Sequence, residues 1–330
     1  MKQKILVARA VFPEVVERLS EFFDVDFNAS DAALTQAELT ERLQNKVGAF
    51  TTGSVRIDAD LLDANPQLRV VANMAVGYNN FDVPACTARG VLCTNTPDVL
   101  TETTADFGFA LMMAAARRVT EGEIYLRRGD WKKWSYDQLT GSDIHGATLG
   151  ILGMGRIGQG IAKRGAHGFG MKVIYHNRSR LTDEKEVECR ASYVSKAELL
   201  QRADHLMLVL PYSAESHHAI GAVELAQMKP TATLTNIARG GIVDDAALAQ
   251  ALATRQISAA GIDVFEGEPT VHPDLLRLSN VVLTPHIASA SIATRMAMAN
   301  LAADNLIAAL GCGPNAGRPP SPINPEVLNR

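Results

Sequence analysis

Short apolar runs alternate with helical patterns along most of the chain, and this alternation limits the possible folds more than any other feature. Near the start, KILVARA, FDVDFN and VGAFTT are separated by the helical patterns PEVVERLSEFF and TQAELTERLQ. LRVVANMAVG and VLCTN continue the series as further strand-like runs. Strands that alternate with helices across compact connections form parallel sheets covered by helices. We therefore predict an α/β fold with a parallel sheet for residues 1–100.

A second alternating series begins with ATLGILGMG and continues through MKVIYHN, ADHLMLVLP, ATLTNIA, AAGIDVF and VVLTPH. Its first turn carries the pattern Gly153-x-Gly155-x-x-Gly158, between a strand pattern and the helical pattern RIGQGIAKRGAHGF. In dinucleotide-binding units, such glycines permit a tight turn, close approach of the backbone to the pyrophosphate, and close packing of helix on strand. The pyrophosphate lies at the helix N-terminus. We predict a doubly wound dinucleotide-binding unit; a glycine-rich turn without a ligand is the alternative.

The strand after the glycine turn ends in the sequence HNRSR, residues 176–180. NAD-binding units carry an acidic residue at about this distance, where it binds the ribose 2′-hydroxyl. Here His176 replaces the acid, and Arg178 and Arg180 supply positive charge for a 2′-phosphate. Asn177 and Ser179 offer additional neutral donors. The pattern predicts a preference for NADPH, with NADH possible, and the alternative is a solvated polar turn.

Three later strand patterns end in NIARGGIVDD, GIDVFEGEP and LTPHIAS, which contribute Arg239, Glu268 and His286. An arginine can hold a carboxylate through two parallel hydrogen bonds. Histidine can donate a proton to a carbonyl oxygen near neutral pH, and a neighbouring carboxylate stabilises its protonated form. Each residue alone could be an ordinary surface or loop side chain. Together, after a dinucleotide turn, they predict a catalytic set.

The overall composition excludes several classes of protein. The 330 residues are 47% hydrophobic and carry a formal net charge of −4, which argues against a nucleic-acid partner. No uninterrupted apolar stretch is long enough to span a membrane, and the start shows no signal-peptide cleavage pattern. The four cysteines lack zinc-binding spacing, so we expect free, buried thiols and no metal. These features predict a soluble, cytoplasmic protein.

Two helical segments flank this second series. Residues 105–116 are apolar almost all round, which favours burial at a domain junction or a subunit interface. After His286, an alanine-rich helical stretch runs to Gly311, a plausible C-cap. The tail GPNAGRPPSPINPE is rich in proline and glycine, and we expect it to be irregular.

Several motifs together resemble the D-isomer-specific 2-hydroxyacid dehydrogenases, and most nearly their glyoxylate/hydroxypyruvate reductase branch, whose bacterial members include 2-ketogluconate reductases. The motifs are VGYNNFDV (76–83), GMGRIG (153–158), NIARGGIVDD (236–245), GIDVFEGEP (261–269) and TPHIAS (284–289). The resemblance implies reduction of small 2-oxo acids to D-2-hydroxy acids by an Arg239, Glu268, His286 triad with His286 as proton donor. Many family members carry aspartate at the position of His176. The reductase branch similarly lacks it and often has an arginine that matches Arg178.

The resemblance also implies two doubly wound parallel-sheet domains. A Rossmann coenzyme domain, residues 101–286, would be inserted in a flavodoxin-like substrate domain, residues 1–100 plus 287–330, and the coenzyme domains would form a homodimer. Val76 and Gly77 fall where family members offer N–H groups to the substrate carboxylate, which Arg239 and His286 also bind. The positions implied in cofactor binding are Thr104, Gly153, Gly155, Arg156, Ile157, Gly158, Asn177, Arg178, Ser179, Arg180, Leu210, Pro211, Ile237, Ala238, Asp263 and Ser289.

Other interpretations remain open on the sequence alone. Phosphoglycerate dehydrogenases usually add a regulatory domain, for which 330 residues leave no room. Phosphite dehydrogenases share the triad, and transcriptional co-repressors of the same fold bind the cofactor without needing turnover. The choice among glyoxylate, hydroxypyruvate and 2-ketogluconate depends on loops around residues 50–56 and 76–79, and on the region of Trp131 and Trp134. For these tryptophans, packing at an interface is the favoured interpretation over substrate contact.

Overall fold

The structure, a computed structural model, describes residues 1–329 and consists of two compact units. The first unit comprises Met1–Leu100 and Ser291–Arg330, and the second comprises Thr101–Ala290. The C-terminal segment thus belongs with the N-terminal hundred residues. The sequence placed the second boundary at 287, a few residues before the division that the structure shows at Ser291. The assignment of substrate and coenzyme to the two units stays a prediction.

The first unit contains a five-stranded, wholly parallel sheet in the order β2-β1-β3-β4-β5. This is the flavodoxin-like order, which confirms the predicted fold of this unit. Each strand that the sequence predicted here is present. The strands are β1 Gln3–Val7, β2 Phe23–Phe27, β3 Gly48–Thr51, β4 Val70–Asn73 and β5 Leu92–Thr94, and the helices between them are α1 Pro13–Phe22, α2 Gln36–Arg42, α3 Ala59–Ala64 and α4 Val83–Ala88.

Local sequence signals explain where these helices begin. Pro13 occupies the first turn of α1, where its missing N–H costs no helical hydrogen bond. Thr35 and Glu38 form a capping box at α2: the Thr35 N–H donates to Glu38 Oε2 at 2.8 Å, and the Glu38 N–H donates to Thr35 Oγ1 at 3.3 Å. Asp58 and Asp82 cap α3 and α4 by accepting hydrogen bonds from backbone N–H groups.

The second unit contains a seven-stranded parallel sheet in the order β12-β11-β10-β9-β6-β7-β8. Read from β8, this is the Rossmann order, which confirms the predicted fold class of this unit, with one strand more than the six that the sequence predicted. The strands are β6 Thr148–Leu152, β7 Lys172–His176, β8 Ala191–Tyr193, β9 His205–Leu208, β10 Thr233–Asn236, β11 Ala259–Ile262 and β12 Val281–Leu283. The helices are α5 Thr101–Ala116, α6 Val119–Arg127, α7 Arg156–Lys163, α8 Asp183–Cys189, α9 Lys196–Arg202, α10 Ala222–Leu225 and α11 Asp245–Ala253, with a π-helical turn at Arg164–Gly168 and 3₁₀ turns at Ala214–Ser216 and Leu275–Arg277.

The sequence predicted six of these strands and missed β8. This strand has three residues at the edge of the sheet, and only Ala191 is buried. Its sequence therefore has no apolar pattern that would distinguish it from a loop. The helix predicted after the glycine turn is also shorter than expected, because its last turn becomes the π-helical turn.

The apolar helix α5 owes its composition to contacts inside its own unit. It packs against β10, β11 and α7. A Cβ atom on Gly261 would lie 2.8 Å from Leu111 Cγ, and one on Gly108 would lie 2.6 Å from Ile237 Cδ1, so these glycines allow the helix to approach the sheet closely. Packing within the second unit therefore accounts for the apolar residues on all sides of α5, without a subunit interface.

The C-terminal helix α12, Ile292–Ala309, belongs to the first unit and packs against α1, β3 and β4. Ser291 caps its start by accepting a hydrogen bond from the Thr294 N–H at 3.2 Å. Gly311 follows its end with a φ of +77°, the left-handed conformation that favours glycine after a helix. The tail beyond is mostly irregular, as expected, but ends in a 3₁₀ turn at Pro325–Asn329.

Buried Asn324 attaches this tail to β5. The Cys93 N–H donates to Asn324 Oδ1 at 2.7 Å, and Asn324 Nδ2 donates to the Val91 carbonyl oxygen at 3.0 Å and to Thr87 Oγ1 at 2.9 Å. One side chain thus satisfies backbone groups at the edge of the sheet. This pairing shows why the tail is ordered despite its composition.

The predicted free thiols are confirmed, since all four cysteines are free and three of them are buried. Among residues 1–329, no helix combines the length and apolar character needed to cross a membrane.

We predict that Asn324→Ala destabilises the chain by about 2–4 kcal/mol, because it leaves buried backbone groups of Val91 and Cys93 without partners. Asn315→Ala, at an exposed position of the same tail, should change stability by less than about 0.5 kcal/mol. Differential scanning calorimetry is the suitable measurement, since both tryptophans, Trp131 and Trp134, lie in the second unit. Equal melting temperatures for the two variants would contradict the role of Asn324.

Candidate active site

The seven parallel strands of the second unit bring their carboxyl ends to one edge of the sheet. In open α/β sheets, ligands bind at this edge, close to the point where the strand order reverses. Here the order reverses between β6 and β9. Except for Thr104, every cofactor-binding or catalytic residue predicted in this unit lies at this edge: the 153–158 turn follows β6, residues 177–180 follow β7, 210–211 follow β9, 237–239 follow β10, 263–268 follow β11 and 286–289 follow β12.

The glycine turn has the geometry that a pyrophosphate requires. Gly153 has a φ of +101°, and a Cβ atom there would lie 2.6 Å from the Leu210 backbone nitrogen. A Cβ atom on Gly158 would lie 2.4 Å from the Gly153 carbonyl oxygen, so helix α7 meets the turn closely. Gly155 faces open space immediately before the first residue of α7. A phosphate could therefore approach the backbone N–H groups at the start of this helix.

The segment after β7 is fastened to the glycine turn. The Met154 N–H donates to Asn177 Oδ1 at 2.6 Å, and the Tyr193 hydroxyl donates to the Asn177 carbonyl oxygen at 3.1 Å. The His176 imidazole is turned toward the Val194 carbonyl oxygen, 2.9 Å from its Nδ1. Asn177 is thus a structural link as well as a predicted donor, and the sequence did not reveal the link.

The two arginines of HNRSR have different surroundings. Arg180 donates from Nε to Glu186 Oε1 at 2.9 Å and from Nη2 to Glu186 Oε2 at 2.5 Å. This hydrogen-bonded pair, helped by the Tyr175 hydroxyl, lowers the pKa of Glu186 to about 2 although partial burial opposes the shift. Arg178 is exposed and has no ion pair or hydrogen bond within residues 1–329. Of the two, Arg178 is the one available to a new anion.

His286 and Glu268 are hydrogen-bonded. His286 Nδ1 donates to Glu268 Oε2 at 2.8 Å, and the Phe265 N–H donates to Glu268 Oε1 at 2.9 Å. About 46% of the His286 side chain is exposed, and its Nε2 has no partner in residues 1–329. The imidazole is therefore oriented by Glu268 and presents Nε2 to a ligand.

Asp263 holds the loop that carries His286. Its fully buried carboxylate accepts hydrogen bonds from Thr284 Oγ1 at 2.7 Å, from the Ile287 N–H at 2.9 Å and from the Ala288 N–H at 2.9 Å. Burial raises the pKa of Asp263, although these hydrogen bonds and the charge of His286 oppose the shift. The sequence predicted Asp263 as a cofactor contact and missed this positioning role. Its contact with a cofactor stays a prediction.

The charges of the triad influence one another. Partial burial raises the pKa of Glu268, but the hydrogen bond and charge of His286, the Phe265 N–H and the charge of Arg239 together outweigh burial and lower it. Burial lowers the pKa of Arg239, and the charge of Glu268 opposes that shift. An arginine remains protonated in either case. The structure therefore brings Arg239, Glu268 and His286 together in one electrostatic cluster with Glu268 ionised.

The loops that carry Arg239 and Glu268 pack backbone against backbone. A Cβ atom on Gly240 would lie only 1.7 Å from the Phe265 carbonyl oxygen. Asn236, at the end of β10, shapes the Arg239 turn by accepting from the Ala238 N–H at 3.0 Å and donating to the Arg239 carbonyl oxygen at 3.2 Å. Gly240 and Asn236 thus support the loops of the candidate site, a role that the sequence did not reveal although both residues lie within the NIARGGIVDD motif.

The remaining predicted residues vary in exposure. The buried Thr104 hydroxyl has no hydrogen-bond partner within residues 1–329, and Ile237 and Ala238 are buried at the end of β10. The others at this edge are partly or fully exposed: Arg156, Ile157, Ser179, Leu210, Pro211 and Ser289.

Val76 and Gly77 lie in the first unit, in the loop after β4. Asn95 Nδ2 donates to the Val76 carbonyl oxygen at 2.8 Å, and Asn73 Nδ2 donates to the Gly77 carbonyl oxygen at 3.1 Å. The two carbonyl groups are therefore fixed by asparagine side chains. Binding of a carboxylate by the two N–H groups stays a prediction.

Comparison with known proteins identifies the class. The family model described as the NAD-binding domain of D-isomer specific 2-hydroxyacid dehydrogenases matches residues 109–288. The glyoxylate reductase of Thermococcus onnurineus (strain NA1) is 45% identical over 333 residues, covering 100% of this chain and 98% of the relative. The glyoxylate reductase of Korarchaeum cryptofilum (strain OPF8) is 45% identical over 331 residues, covering 99% of this chain and 98% of the relative.

A solved structure agrees with these relatives. The NADPH-dependent glyoxylate/hydroxypyruvate reductase of Sinorhizobium meliloti, in complex with NADP and malonate, matches with a TM-score of 0.87 and 36% identity, covering 98% of this chain and 97% of that one. The chain is thus an NAD(P)-dependent oxidoreductase that acts on CH–OH groups. It belongs to the D-isomer specific 2-hydroxyacid dehydrogenase family, in the glyoxylate reductase branch.

We predict that Gly240→Ala lowers stability by at least about 3 kcal/mol and abolishes turnover, because its methyl group cannot coexist with the Phe265 carbonyl oxygen. Gly168→Ala is the matched control, since a Cβ atom there meets nothing within 4 Å. Melting temperature and turnover should both be measured. A Gly240→Ala variant as active and stable as the control would show that the two loops are not packed in this way.

Proposed function

We propose that the chain is an NADPH-preferring reductase that converts small 2-oxo acids to D-2-hydroxy acids with His286 as proton donor. The observation that carries the proposal is the 2.8 Å hydrogen bond from His286 Nδ1 to Glu268, which leaves an exposed Nε2 at the same sheet edge as the glycine turn. Glyoxylate and hydroxypyruvate are the proposed substrates, as in the names of its relatives. A larger 2-oxo acid, 2-ketogluconate, is a further candidate substrate.

The chemistry of a 2-oxo acid suits the triad. Its carboxylate and carbonyl oxygen lie side by side, and a guanidinium can bind both through its fork of N–H groups. Arg239 fills this role in the proposal, since one of its donors already faces the Ala238 carbonyl oxygen at 2.7 Å and the others remain for a ligand. His286 Nε2 gives its proton to the carbonyl oxygen as negative charge develops there. Glu268 stabilises the imidazolium before that transfer.

The coenzyme, when bound, supplies the hydride to the carbonyl carbon. The glycine turn and the start of α7 would hold its pyrophosphate, and Arg178 would pair with the 2′-phosphate. Thr104, Leu210, Pro211, Ile237, Ala238, Asp263 and Ser289 are the proposed neighbours of its remaining parts. In this proposal, His286 and Arg239 contact the substrate and not the coenzyme.

The proton-donor role predicts the behaviour of His286→Ala. Turnover should fall by about 10²–10⁴-fold, the range typical of general acid–base groups, while NADPH binding persists. His145→Ala, which removes an exposed histidine elsewhere in the same unit, should behave like the wild type. Steady-state kinetics with glyoxylate, together with coenzyme titration, would measure both effects. Near-normal turnover in His286→Ala would remove this residue from the mechanism.

The proposed preference for NADPH rests on charge. No carboxylate occupies position 176 to repel a 2′-phosphate. Within residues 1–329, Arg178 has no hydrogen bond or ion pair, although its charge contributes to lowering the pKa of the exposed Glu215. Arg180 could contribute only by loosening its pair with Glu186. Arg178 is therefore the main proposed contact, and Arg180 mainly fixes the shape of the segment.

Arg178→Ala should raise the Kd for NADPH about tenfold to a hundredfold, which corresponds to losing one charge-assisted hydrogen bond, and should scarcely change the Kd for NADH. Arg190→Ala is the matched control, because this exposed arginine precedes β8 and so lies at the opposite edge of the sheet. Fluorescence titration with both coenzymes is the measurement. Equal losses for NADPH and NADH, or a wild type that prefers NADH, would contradict the assignment.

We also propose a homodimer formed through the second unit. The exposed apolar side chains Val119, Ile124 and Leu126 of α6 support such an interface. Analytical ultracentrifugation of the wild-type chain would test the proposed dimer. A monomer at micromolar concentration would contradict the proposal. Location in the cytoplasm also stays a prediction.

A further inference from the structure

A second group of ligating side chains lies outside the triad. His217, His218 and Glu266 each offer one metal-binding atom, and these atoms lie within 4.8 Å of one another. His218 Nε2 lies 2.9 Å from Glu266 Oε2. The imidazole rings of the two histidines are stacked, with centroids 3.9 Å apart and an angle of 22° between their planes.

The backbone is bent to produce this arrangement. His218 has a φ of +49°, a left-handed conformation that is uncommon for residues other than glycine. Its N–H donates to the Gly241 carbonyl oxygen at 2.7 Å, which holds the bend in place. Neighbouring side chains in extended backbone point in opposite directions, whereas here both rings lie on one side. Such unfavourable conformations persist where surrounding structure imposes them, and they concentrate at functional sites.

Each ring also has a polar neighbour near its other nitrogen, hydrogen-bonded in the case of His217 and more distant in the case of His218. The Tyr212 hydroxyl lies 3.2 Å from His217 Nδ1, and Asp244 Oδ2 lies 4.0 Å from His218 Nδ1. Metal-binding histidines commonly form a hydrogen bond at their second nitrogen that fixes the ring orientation, and His217 has such a bond. Nε2 of His217 is thereby left for a ligand, and Nε2 of His218 lies beside Glu266, the third member of the group.

We propose that His217, His218 and Glu266 bind one divalent transition-metal ion such as Zn²⁺, with water completing the coordination. Two imidazoles and one carboxylate suit zinc and its neighbours, whereas Mg²⁺ and Ca²⁺ prefer oxygen ligands alone. Bonds of about 2.0–2.1 Å in a tetrahedral site separate ligand atoms by roughly 3.3–3.5 Å, a distance that these partly exposed side chains can reach by small rotations. The ion replaces the hydrogen bond between His218 and Glu266.

The position of the site gives it a consequence for the triad. Glu266 lies two residues before Glu268, and His217 and His218 lie in the loop that follows β9. A bound ion joins this loop to the one that carries Glu268. It makes no contact with reacting atoms, so its effect is to stabilise the two loops. Sequence spacing did not reveal the site because Glu266 is 48 residues from His218.

The test uses the full chain without a polyhistidine tag, treated with a chelator and dialysed. Isothermal titration with Zn²⁺ should show one ion bound per chain, and saturating Zn²⁺ should raise the melting temperature by on the order of 5 °C. His217→Ala and Glu266→Gln should each weaken binding by at least about a hundredfold. His145→Ala should bind as the wild type does, and Mg²⁺ should produce no shift in melting temperature.

Circular dichroism of each variant before titration establishes that it is folded, and two independent variants guard against the failure of one. Co²⁺ in place of Zn²⁺ should produce visible absorption bands that both variants lose. Unchanged Zn²⁺ binding in both folded variants would overturn the proposal. So would the absence of stoichiometric binding in the wild type, or an equal loss in His145→Ala.

Discussion

A carboxylate buried in a protein interior is costly unless hydrogen bonds satisfy it, and Asp263 obtains its hydrogen bonds from the loop that carries His286. Thr284, Ile287 and Ala288 all donate to it, so the loop after β12 has little freedom. His286, in the middle of this loop, adopts a φ of +53°, and its N–H donates to the Asp263 carbonyl oxygen at 2.8 Å. The main chain and side chain of Asp263 therefore fix the backbone at His286, and the hydrogen bond to Glu268 then orients the imidazole.

The same sheet edge shows how the second half of the site is built. Gly240 lets the Arg239 turn approach the carbonyl group of Phe265, and the N–H of Phe265 in turn donates to Glu268. The loops after β10, β11 and β12 are thus supported by one another. Because each of them begins at the end of a buried parallel strand, the core of the sheet fixes the positions of Arg239, Glu268 and His286. The proposed chemistry depends on this mutual support more than on any single contact.

Much of this arrangement follows from local sequence. Strand and helix alternation predicted both sheets, because a buried parallel strand must be a short apolar run, and the glycine spacing predicted the turn after β6. The triad also followed, since Arg239, Glu268 and His286 each come after such a run. The sequence did not predict strand β8, because two of its three residues are exposed and it therefore has no apolar run.

The contacts between distant residues also escaped prediction. The bond between Asn177 and the glycine turn, the pairing of Arg180 with Glu186, and the cluster of His217 with Glu266 depend on how loops meet in space. Residue types alone indicate that such side chains can bind anions or metals. Only the fold determines which partner each one has, and in the case of Arg180 the partner is an internal carboxylate.

The most direct test of the central claim is the pH dependence of kcat/KM for glyoxylate reduction in the wild type and in Glu268→Gln. In the proposed mechanism, reduction requires a protonated imidazole at His286, and the ionised Glu268 carboxylate, hydrogen-bonded to that ring, favours the protonated form. The amide keeps the shape of the side chain but loses the charge. We therefore expect the alkaline fall in kcat/KM to move to lower pH in the variant. An alkaline limb that stays at the same pH would show that Glu268 does not govern the protonation of His286.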